Sequence, residues 1–128
     1  MSSAIDQARA LIDQAQTALN AALSHLKAYS TSAGRVSGFK LDEKQLACYE
    51  VAYCEAEITA AKVMLGYSSN VAQAKNGEAN RIEERLALQY SAEALQNVRG
   101  RFNARRADFG FTRQQLTATL DSDEVDAF

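Results

Sequence analysis

Apolar residues fall on two separate stripes between Leu41 and Ala74, each repeating every three or four residues. One stripe is Leu46, Tyr49, Tyr53, Ala56, Ala60, Val63 and Tyr67; the other is Ala47, Val51, Cys54, Ile58, Ala61 and Leu65. That spacing stacks side chains along one side of an α-helix, and a helix apolar over much of its circumference is a buried one. The pattern predicts a central helix with one stripe covered by a preceding helix and the other by a following one. Glu50 and Glu57 are one heptad apart in the strip between the stripes, with Glu55 nearby. A buried strip would raise carboxyl pKa values and suit proton transfer; a solvated carboxylate stripe is the preferred reading.

The first helix is expected over about 3–29. Its positions Ile5, Ala8, Ile12, Ala15, Leu19, Ala22, Leu26 and Tyr29 alternate steps of three and four, a heptad seam with alanine at every second place until Tyr29 closes it. Pairing of this seam inside one chain is favoured over dimerisation through it. The polar segment 30–38, with two glycines, reads as a loop. Asp42 then looks like an N-cap with Gln45 at capping-box spacing, and Leu41 and Leu46 sit where a hydrophobic staple would. This second helix is expected over about 42–75, ended by Asn76-Gly77.

A third helix, about 78–104, carries Ile82, Leu86, Tyr90, Leu95, Val98 and Phe102 with Ala79, Ala87 and Ala94 alongside. Gly100 inside it suggests fraying or close packing. Asp108-Phe109-Gly110-Phe111 predicts a turn whose aromatics plug one end of the bundle. Thr112 and Gln115 repeat the capping-box spacing for a short helix over 112–120, and the acidic tail 121–128 is expected to be mobile. The fold class is all-α: an antiparallel bundle of three long helices plus a short C-terminal helix, one domain over 1–120 followed by the tail.

Composition agrees with long uninterrupted helices, since the 128 residues contain no proline and no tryptophan. A net charge of −2 gives no global pull toward nucleic acid or membranes. No run of about 18 apolar residues suggests a transmembrane span, and no secretory signal pattern opens the chain. Cys48 and Cys54 are six apart on one predicted helix and point away from each other, so they cannot bridge within it. Two free thiols suggest a reducing cytoplasm.

Catalytic signatures are sparse. A di-iron bundle needs Glu-x-x-His pairs, but the only histidine is His25 and Ala22 stands three residues before it. Two badly spaced cysteines and one distant histidine do not make a zinc site. No phosphate loop, dinucleotide fingerprint or nucleophile elbow is present. The most distinctive polar feature is the basic cluster Arg99, Arg101, Arg105, Arg106 and Arg113 near the end of the third helix, where cations meet the helix dipole favourably. Guanidinium groups there suit the chain's own acidic tail or a partner first, a nucleotide-type phosphate second, and nucleic acid last.

Arg35-Val-Ser-Gly-Phe-Lys-Leu41 resembles the arginine-containing loop of the C-terminal four-helix domain of acyl-CoA dehydrogenases. Glu55-Ala-Glu-Ile-Thr-Ala-Ala61 resembles the helix that follows it, and the stretch from Ala87 to Leu95, with Tyr90-Ser-Ala-Glu93, resembles the next. The Gly-Phe order is reversed here, the family's usual proline is absent, and Val98-Arg-Gly-Arg-Phe102 replaces its glycine-rich turn. No segment resembles the stretch that supplies the catalytic glutamate. The resemblance implies a noncatalytic bundle related or accessory to such a flavoprotein, acting in assembly, as a homodimer or with a larger flavoprotein subunit. No cofactor is expected; FAD or CoA contact is implied only through the family, with Arg35 as the loop arginine. The alternatives are a small bundle holding an acyl or phosphate-bearing molecule near Arg99 to Arg113, and a free-standing adaptor.

Overall fold

The structure, a computed structural model, describes residues 3–74, 81–120 and 122–128. Among these the chain is all-α apart from one two-residue strand pair. The elements are α1 (Ala4–Ser30), β1 (Thr31–Ser32), β2 (Arg35–Val36), α2 (Gly38–Glu43), α3 (Gln45–Ala74), α4 (Arg81–Ala104), α5 (Arg113–Ala118) and α6 (Asp123–Ala127). Ser3 starts α1 with a reciprocal capping box to Asp6, which satisfies donors that the first turn cannot pair internally. Thr112 and Gln115 do the same for α5, as their spacing predicts.

The first-helix seam is core within the chain: Ala8, Ile12, Ala15, Leu19, Ala22 and Leu26 are all buried, joined by Leu11 and Ala18. Against it lie Ala47, Val51, Cys54, Ile58, Ala61 and Leu65 of α3 and Ala87, Ala94, Leu95, Val98 and Phe102 of α4. Gln16 reaching Glu55 and Lys62, and Arg9 reaching Ser69, run α3 antiparallel to α1. Glu50 with Arg101 and Glu57 with Asn97 run α4 antiparallel to α3. The bottom of the core is closed by aromatics. Phe102 packs 4.8 Å from Phe109 and 5.4 Å from Phe111, centroid to centroid, the plug expected of the Asp108–Phe111 turn. Gly110 in that turn has φ +77, and a Cβ there would stand 2.4 Å from Nδ1 of His25. His25, an exposed residue, is thereby packed over the turn.

Several expectations are corrected. Residues 31–36 form a hairpin with Thr31 opposite Val36 and Ser32 opposite Arg35. Ala33 and Gly34 both take positive φ at its tip, which matches the right-handed strand twist. Asp42 is not an N-cap. Ser37 caps instead, accepting from the Lys40 N–H, so the helix starts at Gly38 and puts Asp42 inside α2. The break comes at Lys44, whose N–H bonds back to the Asp42 and Leu41 carbonyls before α3 begins. Gly100 is exposed with nothing within 4 Å of a would-be Cβ, so close packing is not its reason. The acidic tail is helical and docked. Ser122 caps α6, Val125 is buried, Phe128 packs on the core and Asp126 pairs with Arg99. The third-helix start at 78–80, the Asn76-Gly77 stop and Asp121 lie outside the described residues.

The largest correction concerns α3. Only its second stripe is buried. Leu46, Tyr49, Tyr53, Val63 and Tyr67 of the first stripe are exposed, as are Ile82 and Leu86 among the apolar positions of α4. With α1 and α4 both packed on one side of α3, nothing in the described chain covers the opposite side.

Candidate functional site

The exposed stripe repeats by three and four without a break from Leu46 to Tyr67, which is the a/d spacing of a coiled-coil seam. The burying stripe next to it has enough apolar residues to hold the fold, so the exposed one is surplus to the core. On α4, steps of four from Ile82 through Leu86 to Tyr90 lie on the side of Asn97 and Arg101, the residues that meet α3. The outer sides of α3 and α4 thus make one face, opposite α1.

Glu50 and Glu57 form the seam between these two helices. Glu50 accepts from Arg101, with both side chains about three-quarters buried. The same guanidinium lies over the Tyr53 ring, 3.9 Å from Cζ to centroid, so it is held by a carboxylate on one side and a π-face on the other. Burial draws charge away from Arg101, but Glu50 outweighs it and the guanidinium pKa is raised. Glu57 accepts from Asn97 at 3.3 Å through Oε1, and its buried Oε2 has no partner among the described residues. Tyr90 stands close by. Burial raises its hydroxyl pKa first, and the charge of Glu57 adds to this. The carboxylate strip is therefore not a free solvated stripe: α4 lies over it, Arg101 pairs with Glu50, and Asn97 holds one oxygen of Glu57.

The arginines do not converge. Arg99 turns toward α6 and pairs with Asp126 while also donating to Gln96 at 2.6 Å. Arg101 faces α3. Arg105 borders a shallow depression of about 300 Å³ with Lys44 and Asp108, and Lys44 donates to Asp108 at 2.8 Å. Arg105 and Arg106 share a second depression of about 380 Å³ at the end of α4. Arg113 is exposed at the start of α5, and Arg35 is exposed on the hairpin at the other side of the chain's first loop. Among the described residues no group of three or more His, Cys, Asp or Glu side chains is placed to hold a metal ion, and no helix is long and apolar enough to cross a membrane.

The residues of the exposed stripe are legible in the spacing along the sequence, but their exposure is not. The signal lay in the stripe's makeup: three tyrosines, whose hydroxyls suit a wet or interfacial place better than a dry core. A comparison with family models, curated proteins and solved structures finds no match to this chain.

Proposed function

We propose that this chain is a noncatalytic assembly module, an antiparallel bundle of three long helices that presents the outer face of α3 to a second copy of itself. The observation that carries the reading is the unbroken heptad repeat lying outside the core. Seven side chains of this face, Leu46, Tyr49, Tyr53, Val63, Tyr67, Ile82 and Leu86, are 42–72% exposed. With full areas of ~150–250 Å² for the aromatics and somewhat less for the aliphatics, they expose on the order of 700 Å². That exceeds the ~300–600 Å² of a typical monomer's largest patch and nears the ~800 Å² per partner of a stable interface.

The stripe is also complementary to itself. In an antiparallel pairing, Ala56 meets the second copy's Ala60, Tyr53 meets its Val63, and Tyr49 meets its Tyr67. Two alanine layers in the middle let the backbones approach closely, and the tyrosines close both ends. No charged residue interrupts the stripe, and Glu50 at its edge is already neutralised by Arg101. Kinship with the acyl-CoA dehydrogenase helical domain is a separate proposal, carried by the sequence resemblance alone, and gives the same face to a larger flavoprotein subunit.

One experiment separates the two. Light scattering over protein concentrations of about 1–200 μM should report a dimer, since concentration drives association. Ala56→Glu and Val63→Glu should each give a monomer of unchanged helix content. A wild-type monomer throughout would overturn self-pairing and leave the larger subunit as the partner. A dimer indifferent to both substitutions would place the interface elsewhere.

A further inference from the structure

The last turns of α1, the hairpin, α2 and the first turns of α3 line an open groove of about 430 Å³ on a different side of the molecule from the exposed heptad stripe. Its volume lies within the range of small-molecule sites, ~300–1,000 Å³. Leu23, Leu26, Val36, Leu41 and Val51 make its wall almost wholly apolar. Three residues on that wall carry polar groups, which contribute almost none of its surface. Ser30 is buried, and its Oγ has no hydrogen-bond partner among the described residues. An unpaired buried hydroxyl costs about 1–3 kcal/mol, so its position calls for a partner that the chain does not supply. Lys27 lies three residues earlier, on the same side of α1, and its ammonium makes no ion pair or hydrogen bond among the described residues. Glu55, also on the wall, is already engaged: it accepts from Gln16 at 3.0 Å and Thr59 at 3.3 Å.

We infer that this cavity binds a small amphipathic carboxylic acid, its apolar chain among Leu23, Leu26 and Val51 and its carboxylate on Lys27 and Ser30. The unused donors are a cation and a hydroxyl on one helix face, which an anionic, hydrogen-bond-accepting head matches. The C-terminal end of a helix ordinarily disfavours an anion. Here two of the last carbonyls are already taken: that of Lys27 by the Thr31 hydroxyl at 2.6 Å and that of Ser30 by the Ser37 N–H at 2.7 Å. A cationic head would have to share the Glu55 carboxylate with the Gln16 amide and the Thr59 hydroxyl, whereas the Lys27 ammonium makes no ion pair among the described residues.

Cys48 provides a local readout. It lines the cavity and is half-buried, whereas Cys54 is sealed in the core with its thiol pushed up to about 12 by burial, so a small alkylating reagent reports Cys48 first. Decanoate, decanol and decylamine serve as probes, read by the rate of Cys48 alkylation with iodoacetamide and by isothermal calorimetry. Decanoate should bind and slow alkylation, with decanol weaker by about tenfold, the equivalent of one charge-assisted contact. Lys27→Ala should remove that difference, bringing decanoate down to decanol. Ala52→Trp, at an exposed residue of the wall, should fill the cavity and abolish both binding and protection without altering the circular dichroism. No binding by decanoate or decanol would overturn the site. Decylamine binding as tightly as decanoate, or decanoate binding unchanged in Lys27→Ala, would overturn the carboxylate assignment.

Discussion

Ile58→Ala and Val63→Ala test directly which stripe of α3 holds the fold, because they cut comparable side chains five residues apart on one helix. Ile58 is fully buried and Val63 is 65% exposed. Ile58→Ala removes its apolar transfer energy and leaves a cavity among α1 and α4 residues, a loss of about 3–4 kcal/mol. Val63→Ala takes away about two methylene equivalents that are only a third covered, worth ~0.5 kcal/mol at ~0.8 per buried methylene. Alanine's better helix propensity returns roughly the same amount, so the expected net change is near zero. Urea unfolding followed by circular dichroism measures both, and an unchanged m-value would show that the folded and unfolded states remain comparable. The work belongs at about 1 μM protein, so that self-association does not add to the stability of the wild type. A cost for Val63→Ala within about 1 kcal/mol of that for Ile58→Ala would refute the assignment, since surface changes of this kind stay within ~0.5 kcal/mol.

Gly110→Ala should destabilise the chain by about 2 kcal/mol or more, combining a left-handed φ with the overlap on His25. Thermal melts in the His25→Ala background should recover the overlap and leave about 1 kcal/mol of backbone strain; full retention of the cost there would show that His25 is not the obstacle. Cys54 gives a pH dependence. Its thiol ionises at about 12 folded, while an unfolded thiol ionises near ~8.5, so above that value the unfolded state binds fewer protons. Stability therefore falls as pH rises through this window, by at most ~1.4 kcal/mol per unit. Chemical unfolding at about pH 8 and about pH 10 should show a steeper fall in the wild type than in Cys54→Ala; equal slopes would mean that Cys54 is reached by water.

The seam of α1, the second stripe of α3, the Phe109 and Phe111 plug and the Thr112 capping box were all legible in the sequence, since each is a local spacing with one physical meaning. The exposure of the first α3 stripe was not. Heptad periodicity states that a stripe is apolar and leaves its covering helix unnamed, and the same holds for Ile82 and Leu86. Their burial is set by where α1 lies relative to α3 and α4, a tertiary choice. The hairpin was hidden because Ala33-Gly34 stands where Asn-Gly would have signalled a two-residue turn. Asp42 with Gln45 matched the capping-box spacing, yet Ser37 lies upstream and begins the helix first. The cavity beside Lys27 and Ser30 joins residues from four elements, and no spacing along the chain records it. Of the arginines, the preferred docking of the acidic tail is realised by Arg99 with Asp126, whereas Arg101 found its carboxylate on α3.

In the proposed dimer α3 pairs antiparallel with α3 of a second copy. Oxidative crosslinking between Ala56→Cys and Ala60→Cys chains measures it most directly, in a Cys48→Ala background with the sealed Cys54 retained. An antiparallel pairing sets residue 56 against residue 60 of the second copy, within the ~7 Å between Cα atoms that a disulfide needs. A mixture of the two variants should crosslink rapidly to a 56–60 heterodimer, and each variant alone should do so poorly. Fast homodimer bridges at 56 and at 60, with no gain on mixing, would contradict this pairing.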